Sequence, residues 1–580
     1  MINKNLLIAV LIIFIALPVS AQEKKKDQSM QREVTLYNPY KPSIQQSRKI
    51  SYFPDMSDTS KVRPVFRYDV ATEPFMPEYT ISPIKAATLL PEPLPKLYKS
   101  YLNAGFGNYF TPFAEISISN ERSKNGNIGF YARHYSTNGK VELPNLKKVF
   151  AGYMDNNASL YGRKLFRKAV LEGSLDYTGK TRYAYGYDPS YLTYDPSKKD
   201  IRKEFNNAGA KIALSSLNRD SADISYDFGL AYNYFFTKDN ITQNNFGLAG
   251  HIAKNYKGFY VGSGVSFDFY TMPEDISSEA KYLAAVSPYI KKRSDQWYFT
   301  LGVNLVMERN MTSQPVMHFY PDVNLAFDIV PSYIRFFAGL SGKLENNDPM
   351  HVADENPFIF SNKKLLSMPN TDHQLIITAG LKGNTGFNGS YLISTSYSAI
   401  KDMLFFSNIV NDTLTPPAYG NLFAVIPDDI DLLKVHGEIN GQLGEKLSFY
   451  AEGNYYQYTM TSYEYAWDKP GWDGKLGFKY NLRDKIIAGI DITGQGMRHE
   501  IINGYIIPAS QSLLEPPVPG SRVITDLPAH FNLNFSAEYR YSKILSFWTR
   551  LNNISTDRYF EWAYYPSQRF LFMFGFTYSL

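Results

Sequence analysis

This sequence predicts an all-β chain: a closed antiparallel transmembrane β-barrel of about 22 strands, preceded by an extended proline-rich segment. Three observations predict it. Apolar and polar residues alternate over stretch after stretch, aromatic residues reach 16% without long apolar runs, and short connections alternate with long ones. Successive side chains of a strand point to opposite faces, so strict alternation marks a ribbon with two different surroundings. Lipid on one side and a watery lumen on the other supply them.

Composition narrows the class. The chain has 580 residues, more than one soluble core usually holds. Apolar residues make up 44%, with 46 tyrosines and 39 phenylalanines. A helical membrane protein would be richer in Leu, Ile and Val, and its mean hydropathy would be clearly positive rather than −0.30. The absence of cysteine excludes disulfides, thiol catalysis and thiolate metal sites. A formal net charge of +5 is too mild and too dispersed to indicate a nucleic-acid partner.

The first element, residues 1–21, reads as a secretory signal peptide. Lys4 precedes the apolar run "NLLIAVLIIFIALPVSAQ", and the small residues Val19 and Ala21 place the cut before Gln22. No later run approaches the ~20 apolar residues of a membrane-spanning helix.

Residues 22–97 form the second element. They open with "QEKKKDQSMQRE" and hold ten of the 33 prolines, including "PEPLP" at 91–95. Proline removes a ladder donor and breaks helices, so this reads as an extended periplasmic or lumenal segment.

Residues 98–580 are the barrel. In "HFNLNFSAEYRY" (530–541), Phe531, Leu533, Phe535, Ala537, Tyr539 and Tyr541 share one face, opposite His530, Asn532, Asn534, Ser536, Glu538 and Arg540. Short polar turns fall near 122–126, 163–168, 217–221, 254–257, 292–296, 329–332, 383–389, 444–446, 482–485 and 541–544. Longer links include 138–152, 180–202, 344–370, 412–418, 460–471 and 496–527. Reading 387–410 and 419–443 as two long strands gives 22, an even count that starts and ends on the periplasmic side. The chain closes on "RFLFMFGFTYSL", which puts Phe570, Phe572, Phe574, Phe576, Tyr578 and Leu580 on one face, expected to meet lipid.

The stretch "FWTRLNNISTDRYFEWAYYPSQRFLFMFGFTYSL" (547–580) resembles the C-terminal end of TonB-dependent outer-membrane receptors, most like those of Bacteroidota. The matching residues are Asn552, Asn553, Tyr559, Pro566 and Arg569. The resemblance implies location in the cell outer membrane, contact with its lipid, and handling of the final strand by the barrel assembly machinery. It further implies ligand binding at the outer face and energised solute uptake through a plugged barrel. Segment 22–97 is shorter than the plug of such receptors, and "REVTLY" (32–37) is only faintly like a TonB-contacting box, so TonB coupling stays open. The alternative function is a non-transporting scaffold that recruits periplasmic protein partners through 22–97. A 22-strand lumen must be filled. The candidates are 22–97, inward-folded loops such as 344–370 and 496–527, or a partner protein.

Chemistry is sparse. The eight histidines are scattered, with no i, i+4 pair to hold a metal. His530 and Ser536 lie on a polar strand face that any barrel needs, and no phosphate-cradling glycine motif occurs. The expectation is no enzyme, no metal and no cofactor. The loop "WDKPGWDG" (467–474) offers Trp467 and Trp472 either as a stacking platform for a sugar or peptide, or as rim aromatics of the outer girdle.

Overall fold

The computed structural model describes residues 98–579, apart from 121–122, 124, 192, 218–223, 273–279, 311–313, 361–367, 387, 412–417, 503–504, 507–517, 520–522 and 557. The predicted signal peptide, segment 22–97 and Leu580 lie outside the described residues. So does part of each of the loops 344–370 and 496–527. Contacts divide the chain into two units, Met1–Pro95 and Lys96–Leu580; the second is the barrel.

Its strands run in chain order. β1 (Ser100–Gly107), β2 (Thr111–Ser119), β3 (Gly126–Thr137), β4 (Tyr153–Leu165), β5 (Ala169–Tyr183) and β6 (Arg202–Ser216) come first. Then follow β7 (Ser225–Thr237), β8 (Thr242–Tyr256), β9 (Phe259–Thr271), β10 (Lys281–Arg293), β11 (Trp297–Arg309) and β12 (Val316–Val330). β13 (Ile334–Glu345), β14 (Thr371–Thr385), β15 (Gly389–Asn411), β16 (Ala418–Leu443) and β17 (Leu447–Met460) continue the wall. β18 (Trp472–Leu482), β19 (Ile486–Gln495), β20 (His530–Arg540), β21 (Leu545–Asn552) and β22 (Leu571–Ser579) complete it. All 22 belong to one antiparallel sheet, and β22 pairs back onto β1. The expected fold and strand count are met.

All ten turns at one end of the barrel are short and coincide with the ten expected. The tightest, Lys257-Gly258, carries positive φ at both residues (51° and 80°), as a two-residue hairpin turn requires. The other end carries the long links.

The wall has two faces. Outward, β12 exposes Met317, Phe319, Leu325, Phe327 and Ile329, and β22 exposes Phe572, Phe574 and Phe576. Phe570 precedes β22 in the last long link and is half-buried. Inward, polar side chains pair across and along strands: Ser159 of β4 and Ser174 of β5 both donate to Asp176 at 2.6 Å, and Arg182 meets Asp155 at 2.7 Å.

The closing seam is locked by an indole. A Cβ on Gly105 of β1 would lie 2.4 Å from Trp548, and one on Gly575 of β22 would lie 2.3 Å from it. These two glycines face each other in the register and make the slot that Trp548 of β21 fills. Its Nε1–H donates to Asn103 at 2.7 Å, Phe113, Leu571 and Met573 pack around it, and Arg550 covers the ring at 4.5 Å.

Two outcomes are expected. Phe574→Arg, on the outward face, should cost about 2–4 kcal/mol if its side chain sits near mid-bilayer, measured by urea unfolding in lipid vesicles. Gly575→Ala should cost about 1–3 kcal/mol through overpacking of the Trp548 slot, read as a lower folded fraction on unboiled gels.

Candidate functional site

β15 and β16 run on past the wall. Up to Ile400, β15 alternates, with Ile393 and Tyr397 exposed outward. The register then slips between Ile400 and Met403, where Asp402 takes a positive φ of 52°. A slip of this kind bends the strand. Asp402 donates its N–H to the Asp429 carboxylate at 3.0 Å and accepts from the Thr371 hydroxyl at 2.9 Å. Beyond it, every residue from Leu404 to Ile409 is buried. Alternation ends because both faces of this tongue, residues 403–410 and 418–426, are covered.

Leu404, Phe406, Ile409, Leu422 and Phe423 join one apolar cluster with Val352, Ile359 and Tyr565. Phe205 and Phe235 belong to the same cluster and stand on the inward faces of β6 and β7, so the cluster sits in the mouth of the barrel at its long-loop end. On the tongue's other face, Phe405 and Ile426 pack with Trp467 and Ile501.

Neighbouring loops complete a cap. The short helix α1 (Pro349–Glu355) starts on Asp348, whose side chain accepts the His351 N–H at 2.8 Å. Asp354 at its far end pairs with Lys180 of β5 at 2.6 Å, an inward-facing wall residue. Beyond the helix, Phe358 O and Phe360 N bond to the backbone of Phe423 at 3.0 and 2.8 Å. From the last long link, the Tyr565 ring stacks on Phe358 with centroids 3.9 Å apart, and its hydroxyl donates to Asn421 O at 2.5 Å. Trp562 stands edge-on to Phe406 and Phe423 at 5.2 and 5.4 Å. Tyr185, from the link after β5, donates to Pro566 O at 2.9 Å.

Beneath the tongue lies a buried acidic pair. Asp468 is 7% exposed and Glu500 1%. The two carboxyls lie against each other, with the Ala563 N–H directed at Glu500, and no side-chain donor among the described residues bonds to any of their four oxygens. Burial raises the pKa of both, and Asp468 raises that of Glu500 further. Two adjacent buried carboxylates repel each other, which favours one proton shared between them. Asp468 is on the loop 461–471. Glu500 is on a small ribbon, Arg498–Ile502 paired with Val523–Leu527. Arg498 extends from that ribbon to the carbonyls of Phe560 and Glu561, both at 2.7 Å. Lys469, next to Asp468, bonds to Glu355 at the end of α1.

The sequence-predicted residues are distributed through this assembly. Trp467 is buried at 3% exposure against the tongue, whereas Trp472 opens β18 on the outer face, with its ring 5.8 Å from Phe531. The two tryptophans share no exposed surface. Asn552 ends β21. Asn553 is buried with a φ of 51°; its N–H donates to the Asn534 side chain at 3.0 Å and its amide to Gln568 O at 3.3 Å. Tyr559 lies flat on His530, 4.1 Å between ring centroids. Pro566 carries the carbonyl that Tyr185 reaches, and Arg569 is exposed. These motif residues therefore run along a strap that ties the cap to the seam. The tongue, Asp468 and Glu500 were missed by sequence reasoning. The tongue does leave a signal there, the unalternating "MLFFSNIV" at 403–410.

No protein-family model and no curated protein matches the sequence. Solved structures match the fold. An iron transporter, FrpB from Neisseria meningitidis, superposes with a TM-score of 0.62 at 10% identity, over 84% of this chain and 82% of that one. The pyoverdine outer membrane receptor FpvA from Pseudomonas aeruginosa PAO1 gives 0.60 at 12% identity, over 83% and 78%. The copper transporter OprC gives 0.58 at 12%, over 83% and 80%. The likeness is one of fold.

Removing a ring from the tongue should loosen the cap and spare the wall. Phe406→Ala should cost the cap about 3–5 kcal/mol. Limited proteolysis should then cut within 403–426 while the barrel keeps its heat-modifiable mobility.

Proposed function

We propose that this protein is an outer-membrane barrel for solute uptake, related to TonB-dependent receptors, whose cap closes the mouth until a solute at the outer face displaces it. The observation that carries this reading is the tongue, a buried apolar ribbon seated on inward-facing wall residues. A 22-strand barrel is wide enough to need a filled lumen, and the cap supplies an element that shuts and can yield. The lipid-facing aromatic belt fits the location, and the fold neighbours' transport roles fit the activity. In this reading the long-loop end faces outward, residues 1–21 are cleaved on export, and 22–97 extend into the periplasm or lumen. Half-buried Tyr419, whose ring lies 5.0 Å from that of Tyr191 and 4.5 Å from that of Tyr194, is with them part of the surface that an arriving solute meets. Binding at the outer face and TonB coupling from the inner side would then act on one gate.

Planar-bilayer conductance tests this. The mature protein should be nearly silent, and a variant with 404–425 replaced by an Asn-Gly turn should show large steady conductance. Steady conductance from the intact protein would overturn the reading. So would a tongue-less variant that stays silent until 22–97 are also removed, because that arm would then be the gate.

A further inference from the structure

Four elements meet at Asp468 and Glu500: loop 461–471, the ribbon 498–502, the last long link and the end of α1. The charged and titratable groups that face the pair can be counted element by element. Arg498 comes from the ribbon and Lys469 from the loop. Glu355 stands at the end of α1. The last long link contributes Tyr564, which senses the charge of Glu500, and Glu561, held near Arg498. The tongue's side chains in the adjoining cluster, Phe405 and Ile426, are apolar. Two cations, Arg498 and Lys469, thus stand against the carboxyls of Glu355, Glu561 and the pair itself. Acidic groups outnumber the cations here, and retaining one proton on the pair limits that excess. With that proton lost, a second negative charge is buried where the Ala563 N–H faces Glu500 but no side-chain donor among the described residues bonds to either carboxyl, a costly arrangement in a buried site.

We propose that one proton held between Asp468 and Glu500 latches the cap, and that its loss to bulk water in alkaline medium parts loop 461–471 from the ribbon and frees the tongue. The inference rests on the reading of the cap as the closure of the barrel. The sign follows from linkage. Carboxyls whose affinity for protons is raised in the closed state favour that state at low pH, and the stabilisation is lost as pH rises through their raised ionisation. Acid therefore holds the cap shut, the reverse of ion pairs that acid breaks.

The chain has no cysteine, so one introduced thiol reports on the tongue alone. Ser407 is 0% exposed on the tongue, and Ser190 is exposed on the link after β5. Full-length Ser407→Cys and Ser190→Cys proteins in detergent are reacted with a maleimide-polyethylene glycol from about pH 6 to about pH 9. The ratio of their rates removes the thiol's own titration. That ratio should climb with pH, at most tenfold per pH unit for a one-proton step. Adding Glu500→Gln should flatten it, and Asp468→Asn should do the same if the first variant folds poorly. A ratio that is low and flat in the otherwise native protein overturns the latch and leaves the closed cap standing. A climb that persists in both amide variants also overturns it. Equal labelling of both thiols at every pH overturns the closed cap and the latch together.

Discussion

Everything in this molecule depends on the satisfaction of backbone hydrogen bonds in a medium that offers none. In hydrocarbon, a sheet with a free edge leaves a row of unpaired N–H and C=O groups, so a membrane sheet must close. Twenty-two strands do so here through the β1–β22 pair. Closure fixes the alternation of every strand, because one face is committed to lipid and the other to the lumen. It also sets the diameter, and the diameter creates the need for something in the mouth. The cap answers a difficulty that the wall itself produces.

The cap is built from the same interaction. β15 and β16 keep their ladder beyond the wall, so the tongue is an outgrowth of the barrel sheet rather than a separate body docked on it. What changes at Asp402 is the surroundings. Below the slip one face meets lipid; above it both faces meet protein. Aromatic rings from the last long link then fix the tongue laterally, and buried polar groups decide how firmly. In an apolar assembly of this kind, a buried carboxyl pair has more leverage than its size suggests, since a second charge there is costly.

Legibility in the sequence follows surroundings. The strand count and the ten short turns were readable because a lipid–water ribbon imposes period two, and polar turn residues punctuate it. The two long strands 389–411 and 418–443 were found as lengths. Their change of role was harder to see, since Leu404, Phe405 and Phe406 in a row look the same whether a strand is buried on both faces or simply irregular. Trp467 and Trp472, five positions apart, are alike in sequence and opposite in fate; the path of the chain puts one under the tongue and the other at the start of β18 on the outer face. Asp468 and Glu500 are 32 residues apart and unremarkable singly. Their chemistry exists only because two loops bring them together in a dry place.

The Trp548 slot has a further consequence, for the order in which the molecule is made. All the other wall pairings join strands adjacent along the chain, and the ten turns at one end are short. The seam alone spans the barrel: Asn103 and the indole that it receives are 445 residues apart. The entropy of joining ends grows with the length of the loop between them, and contacts so distant in sequence are slow to form. One half of the slot is Gly105, among the first wall residues synthesised, and the other is Gly575, among the last. The indole fits only when both are present, so the ring also registers completion: a chain that stops short of β22 has no place to put it.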